Sequence, residues 1–255
     1  MRFRLVSPVA VVPGAVLAAL VLAAGCGGPN DGVVDSSGLQ GPTTTIDPNA
    51  GEVAGFWPMH DTTGEEMVDA SGNGHVGVAG ALIERTGESY RFPEIVPNVA
   101  DVSRIAVVKS SPEFDSGDRP LTVSFRIRMT SEGEHNVVQK GQSQAPGGFW
   151  KIEVNANGQT PGIAHCTFKG VISTSAVSAE QRIDDGKWHT VACRRTRLGL
   201  SIDVDGEVRV ESALTGAMSN TSALSIAGKA KCNPAEGVEC DYFVGELSDL
   251  KIVIG

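Results

Sequence analysis

Aromatic residues are scarce in this chain of 255 residues: eight Phe, three Trp and two Tyr, or 5% of the total. Any sugar-gripping surface must therefore draw its Trp or Tyr from Trp57, Trp150, Trp188, Tyr90 and Tyr242. Histidine is rarer than its five copies suggest, because His60, His75, His135, His165 and His189 are scattered and never fall into the H-E-x-x-H spacing of a zinc hydrolase. Neither a G-x-S-x-G nucleophile turn nor a P-loop occurs. Positive charge is short as well, with 21 basic residues against 30 acidic ones and a formal charge of −9. Such a surface repels polyanions, which excludes nucleic acid as a partner.

Long apolar runs are absent except at the start. "MRFRLVSPVAVVPGAVLAALVLAAGC" joins Arg2 and Arg4 to an uncharged apolar stretch and a small-residue exit, the pattern of an export signal over residues 1–25. A permanent N-terminal anchor helix is the alternative, disfavoured by Pro8 and Pro13. Leu22-Ala23-Ala24-Gly25-Cys26 resembles a bacterial lipobox, which implies that Cys26 is lipidated and holds the mature chain on the outer face of the cell membrane. Plain secretion after cleavage near Cys26 is the other outcome. Residues 26–51 are rich in Gly, Pro, Asn, Asp, Ser and Thr, have almost nothing to bury, and read as a flexible tether.

Beyond Cys26 stand Cys166, Cys193, Cys232 and Cys240, an even number that reads as disulfides outside the cytoplasm. Four cysteines allow three pairings. The short span "CNPAEGVEC" favours Cys232 with Cys240 and leaves Cys166 for Cys193. His189 and Cys193, four residues apart on an extended strand, are separated by about 13 Å and form no local metal or proton-transfer pair.

Residues 52–255 are dominated by period two. In "LTVSFRIRMT" Val123, Phe125, Ile127 and Met129 share one face, with Thr122, Ser124, Arg126 and Arg128 on the other. In "FWKIEV" Trp150, Ile152 and Val154 oppose Phe149, Lys151 and Glu153. Asn157-Gly158 and Asp205-Gly206 are hairpin turns by composition. "VAGFW", "VSRIAVV", "HNVVQK", "GIAHCTF", "KWHTVAC", "ALSIAG" and "YFVGELSDLKIVI" supply further strands, and no helical period of useful length competes with them. The expected architecture is one all-β antiparallel sandwich. Polar stretches 141–148 and 173–186 are expected as rim loops. "SIDVDGEVRVES" half matches a calcium loop at Asp203, Asp205 and Gly206, but Ser201 and Ser212 occupy its two end positions, so it reads as a hairpin.

"VAGFWPMHDTTGEEMVDASGNGHVG", "LTVSFRIR", "DGKWHTVACRRT", "LSIDVDG" and "DYFVGELSDLKI" together resemble the laminin-G-like branch of the concanavalin A-like lectin/glucanase superfamily. The resemblance implies a two-sheet jelly roll whose first and last strands pair. Trp57 and Trp188 stand on strands among apolar neighbours and are expected in its core rather than on a binding platform. The resemblance also implies one structural calcium ion between the Asp69–Asn73 loop and the last strand, with Asp69, Asn73 and Asp249 as ligands. An Asx-type turn without metal explains the same loop equally. The glucanase pattern E-x-D-x-x-E is absent: Glu239-Cys240-Asp241 is followed by Val244. A non-catalytic recognition module for a glycan or protein ligand is therefore expected, with a glycan-cleaving enzyme or a structural envelope spacer as alternatives.

Overall fold

The computed structural model describes residues 47, 50–94, 99–155, 158 and 160–255. The export signal, Cys26, most of the tether and the turn residue Asn157 lie outside them. Sixteen strands stand among the described residues: β1 (Glu52–Trp57), β2 (Glu66–Met67), β3 (Gly77–Ala79), β4 (Glu84–Arg85), β5 (Tyr90–Phe92), β6 (Ala106–Val108), β7 (Leu121–Arg128) and β8 (His135–Lys140), then β9 (Phe149–Val154), β10 (Ile163–Lys169), β11 (Thr174–Arg182), β12 (Trp188–Arg195), β13 (Gly199–Val204), β14 (Glu207–Ser212), β15 (Leu224–Ile226) and β16 (Gly245–Ile254).

They form two antiparallel sheets. The first runs β14-β13-β12-β7-β16-β5-β4, with β1 also on β16; the second runs β11-β10-β9-β8-β15-β6-β3-β2. First and last strands pair, with Glu52 opposite Ile254 and Trp57 opposite Leu250. β16 slips register against β7 between Ser248 and Lys251, and Asp249 there has φ 55°. This bulge lies where the strand's neighbour changes from β5 to β1, and it re-aims the Asp249 side chain.

Alternation produces the core. Val123, Phe125 and Ile127 of β7, Trp150, Ile152 and Val154 of β9, and Leu200, Ile202 and Val204 of β13 are all buried in one continuous cluster. Each fully buried aliphatic side chain contributes roughly 1.5–3 kcal/mol of transfer free energy. Trp57 is fully buried as expected and donates its indole N–H to the His75 carbonyl, 2.8 Å away. The Asp205-Gly206 turn has φ of 53° and 91°, the double positive φ that a type I′ hairpin requires. Gly206 donates its N–H to Asp203 Oδ1, so the calcium-like string is a hairpin turn.

Three expectations need correction. Residues 173–186 are not a loop: nine of them form β11, whose alternating exposure marks a sheet-edge strand. Polar composition concealed it, because its outward positions are Thr174, Ala176, Ser178, Glu180 and Arg182. β16 starts at Gly245, not at Tyr242, since residues 228–243 belong to the disulfide loop packed beside β8 and β15. Trp188 is half-exposed and faces out, for a reason of strand parity given below.

Cys166 of β10 is bonded to Cys193 of β12, joining the two sheets through the core, and both residues are fully buried. Cys232 is bonded to Cys240 and closes a short surface loop. The inter-sheet bridge spans 27 residues and the other spans 8. Loop-closure entropy then puts their contributions at about 3.5 and 2.5 kcal/mol. The Cys166→Ala/Cys193→Ala double variant is expected to lose more stability in urea denaturation than Cys232→Ala/Cys240→Ala; the reverse order would show that the core bridge does not dominate.

Candidate recognition face

β12 decides which side chains reach the surface. Because Cys193 points inward, His189, Val191 and Arg195 point inward too, and Trp188, Thr190 and Ala192 must face solvent. In register, Trp188 lies opposite Arg128 and Thr190 opposite Arg126 on β7. Both guanidinium groups pack on the Trp188 ring, Arg126 at 4.8 Å and Arg128 at 5.1 Å from its centroid. Beside them, Lys251 of β16 stands 5.0 Å from the ring centroid of Phe56 on β1. Phe56, Arg126, Thr190, Asp203, Asp249 and Lys251 line a groove of about 430 Å³ on this outer face; Trp188 and Arg128 lie outside its lining, next to Arg126.

The cations here are unequally committed. Arg128 donates to Glu246 Oε1 at 2.6 Å, and Arg91 donates to the same oxygen at 3.1 Å, while Ser89 donates to Oε2 at 2.7 Å. Burial lifts the Glu246 carboxyl, but hydrogen bonds from Ser89, Arg128 and Arg91 outweigh it and hold it below the ordinary carboxylate range. Arg126 has only a loose contact with Asp249, 3.7 Å, and 45% of its side chain is exposed. Its guanidinium is thus oriented by Trp188 yet keeps donors for an incoming anion.

At the hairpin end of β12, His189 is buried between two carboxylates. Its Nδ1 lies 2.6 Å from Asp205 Oδ2 and its Nε2 lies 3.0 Å from Asp185 Oδ1. Asp205 Oδ1 also accepts from the Thr190 N–H and hydroxyl. Burial pushes the imidazole pKa down, but the hydrogen bonds to Asp205 and Asp185 prevail and raise it above its ordinary value. His189 and Cys193 do no joint chemistry, since the thiol is bridged.

The expected calcium ligands are held by other partners. Asp69 Oδ1 accepts the N–H groups of Phe56 and Ser71 at 3.0 and 2.9 Å, and Oδ2 accepts that of His75 at 2.8 Å. The bond to Ser71 gives the loop Asx-turn geometry. Burial raises the Asp69 carboxyl, and the bonds from Ser71, Phe56 and His75 bring it below the usual range. Asn73 donates its side-chain N–H₂ to the Val53 and Ala54 carbonyls of β1. Asp249 faces Arg126 and His60 instead. The stretch Gly72–Gly77 has the spacing G-x-G-x-x-G, but it leads into β3 and no helix follows, so the dinucleotide-binding context is missing. The carboxylates that do come together are those of Glu134, Glu153 and Asp241, within 4.8 Å of one another.

A family model for the concanavalin A-like lectin/glucanase superfamily matches residues 105–253. The chain belongs to that superfamily. No curated protein matches the sequence. Among solved structures, the binding domain of Paraclostridial Mosquitocidal Protein 1 superposes with a TM-score of 0.58 at 14% identity, over 79% of this chain and 48% of that one. A botulinum neurotoxin type C, whose cell entry depends on interaction with two ganglioside molecules, gives 0.57 at 11% identity, over 79% and 47%. Trypanosoma rangeli sialidase in complex with sialic acid gives 0.54 at 16% identity, over 79% and 30%. The chain therefore spans about half the length of the toxin domains it matches and less than a third of the sialidase, and at these identities the likeness is one of fold.

The sequence reading missed Arg126, Arg128, Phe56 and Lys251 as a surface. One signal was present: once Cys193 is placed in the core, parity sends Trp188 out beside Thr190. The raised His189 pKa carries a sign. Its stabilising effect is complete below the unfolded value near 6.5 and is lost as pH rises through the folded value. Urea denaturation across pH 5–9 is expected to show wild type losing its advantage over His189→Gln as pH rises; a constant difference would show that the imidazolium is not what the two aspartates stabilise.

Proposed function

We propose that the chain is a non-catalytic recognition module, held outside the cell membrane through Cys26 and the 26–51 tether, that binds an anionic group of a glycan or protein ligand on its Trp188 face. The observation that carries this reading is the placement of Arg126, Arg128 and Lys251 around Trp188 and Phe56 on one sheet face of a chain whose net charge is −9. Guanidinium groups already fixed against a ring lose less freedom when they fork onto a carboxylate. Of the fold neighbours, the type C neurotoxin interacts with gangliosides and the sialidase is bound to sialic acid, so anionic sugars lead the candidates.

Catalysis on a glycan fits less well. Retaining hydrolysis needs two carboxylates about 5 Å apart that a sugar can reach. In the group formed by Glu134, Glu153 and Asp241, Glu153 is only 2% exposed. Cys240, next to Asp241, is locked in a disulfide.

Array binding with sialylated, uronate-bearing and neutral glycans tests the reading, with Trp188→Ala and Arg126→Ala alongside the wild-type domain. Retention of anionic glycans is expected, with a loss of about 30-fold, near 2 kcal/mol, in each variant. The melting temperature should barely change, because both side chains face outward. Retention unaltered by either variant would remove this face, and measurable turnover of a polysaccharide would overturn the non-catalytic reading.

A further inference from the structure

The geometry points to a calcium site, built from the carboxylates of Glu134, Glu153 and Asp241 with the side-chain oxygen of Asn136, that ties the Cys232–Cys240 loop to the second sheet. It lies apart from the Trp188 face and from the Asp69 turn.

Four chain positions converge there for reasons of register. Glu134 immediately precedes β8 and Asn136 is its second residue, so their spacing of two puts them on one side of the extended chain. Asn136 stands directly opposite Glu153 of β9, and that pair faces away from the core, whereas His135 and Val154 face into it. Asp241 is brought alongside by its own carbonyl, which accepts the Asn136 N–H at 2.8 Å. The carboxylate oxygens of the three acids then lie within 4.8 Å of one another.

The independent sign of a missing partner is Asn136 itself. It is fully buried, and neither its Oδ1 nor its Nδ2 has a hydrogen-bond partner among the described residues. Leaving such an amide unpaired costs about 1–3 kcal/mol for each group, and buried side-chain polar atoms in native proteins are otherwise nearly always satisfied. A cation bound at the carboxylates would take up Oδ1.

Like charge strengthens the case. Lys151 donates to Glu153 Oε1 at 2.6 Å, and Lys229 pairs with Asp241 Oδ2. Each lysine contacts one oxygen of its carboxylate, and among the described residues Glu134 makes no hydrogen bond or ion pair. Burial raises the Glu153 carboxyl above its ordinary value; Lys151 lowers it, and the Glu134 and Asp241 charges raise it further. Hard oxygen donors in an irregular set suit calcium better than the octahedral demand of magnesium, with water filling the rest of a six- to eight-fold shell. Glu153 is nearly inaccessible and Asp241 half-buried, so the ion would be structural and no substrate would reach it.

Isothermal titration of the chelator-treated wild-type domain with calcium chloride tests the site, with Glu134→Gln, Asp241→Asn and Asp249→Asn in parallel and melting temperatures with calcium or chelator. One calcium per chain is expected, weakened at least tenfold by Glu134→Gln and by Asp241→Asn and unchanged by Asp249→Asn. Calcium should raise the melting temperature of wild type and not of Glu134→Gln, whose half-exposed, unbonded side chain leaves the fold intact. Absence of binding at millimolar calcium, or binding lost in Asp249→Asn and kept in the other two, would overturn the proposal.

Discussion

The bond between Cys166 and Cys193 sets the orientation of every side chain on β12. A strand has two faces, and fixing one residue toward the opposite sheet assigns all its neighbours by alternation. With Cys193 inward, the interior row reads His189, Val191, Cys193, Arg195, apolar in the middle and charged at both ends. The exterior row begins with Trp188 and so delivers the only tryptophan of the three that is not buried. The recognition face is thus a consequence of where the sulfurs meet.

The two charged ends of that interior row close the sandwich differently. His189 is met by carboxylates from the Asp205 turn and the Asp185 loop. Arg195, fully buried at the other end, donates to the carbonyls of Gly117, Arg119 and Gly216 and to the Thr215 hydroxyl, which holds two loops against the end of the core. Lys140 does the same nearby, with Asp115 and Asn220 as its acceptors. Buried cations satisfied in this way strongly constrain loop geometry, because each carbonyl they release would remain unpaired.

What could be read from the residues alone was the part governed by period two and by cysteine. Val123, Phe125, Ile127, Trp150, Ile152 and Leu200 announce their burial by alternation, and the Asp205-Gly206 turn by the backbone freedom it needs. β11 was hidden because an edge strand with one polar face looks like a loop in composition. Asp69 was visible as a loop acid, but its use as an acceptor for Phe56 and His75 depends on β1 passing beside it, which no local pattern encodes. The grouping of Glu134, Glu153 and Asp241 joins residues up to 107 positions apart through register and a hairpin-like approach, so only the assembled sheet reveals it. Trp188 was a different case: its neighbours Val191 and Cys193 are on the opposite parity, and apolar company was mistaken for a shared face.

Acidic overall charge and a local basic face are compatible because most of the described acids lie in turns and loops outside the strands, while β7 presents two arginines on alternate residues. All of this requires the sulfur pairing described above. Peptide mapping without reduction tests it directly. Trypsin should yield fragment 152–169 joined to fragment 188–194, and fragment 232–251 with an internal bridge. Fragment 188–194 found linked to 232–251, or alkylated at Cys193 without reduction, would contradict the account.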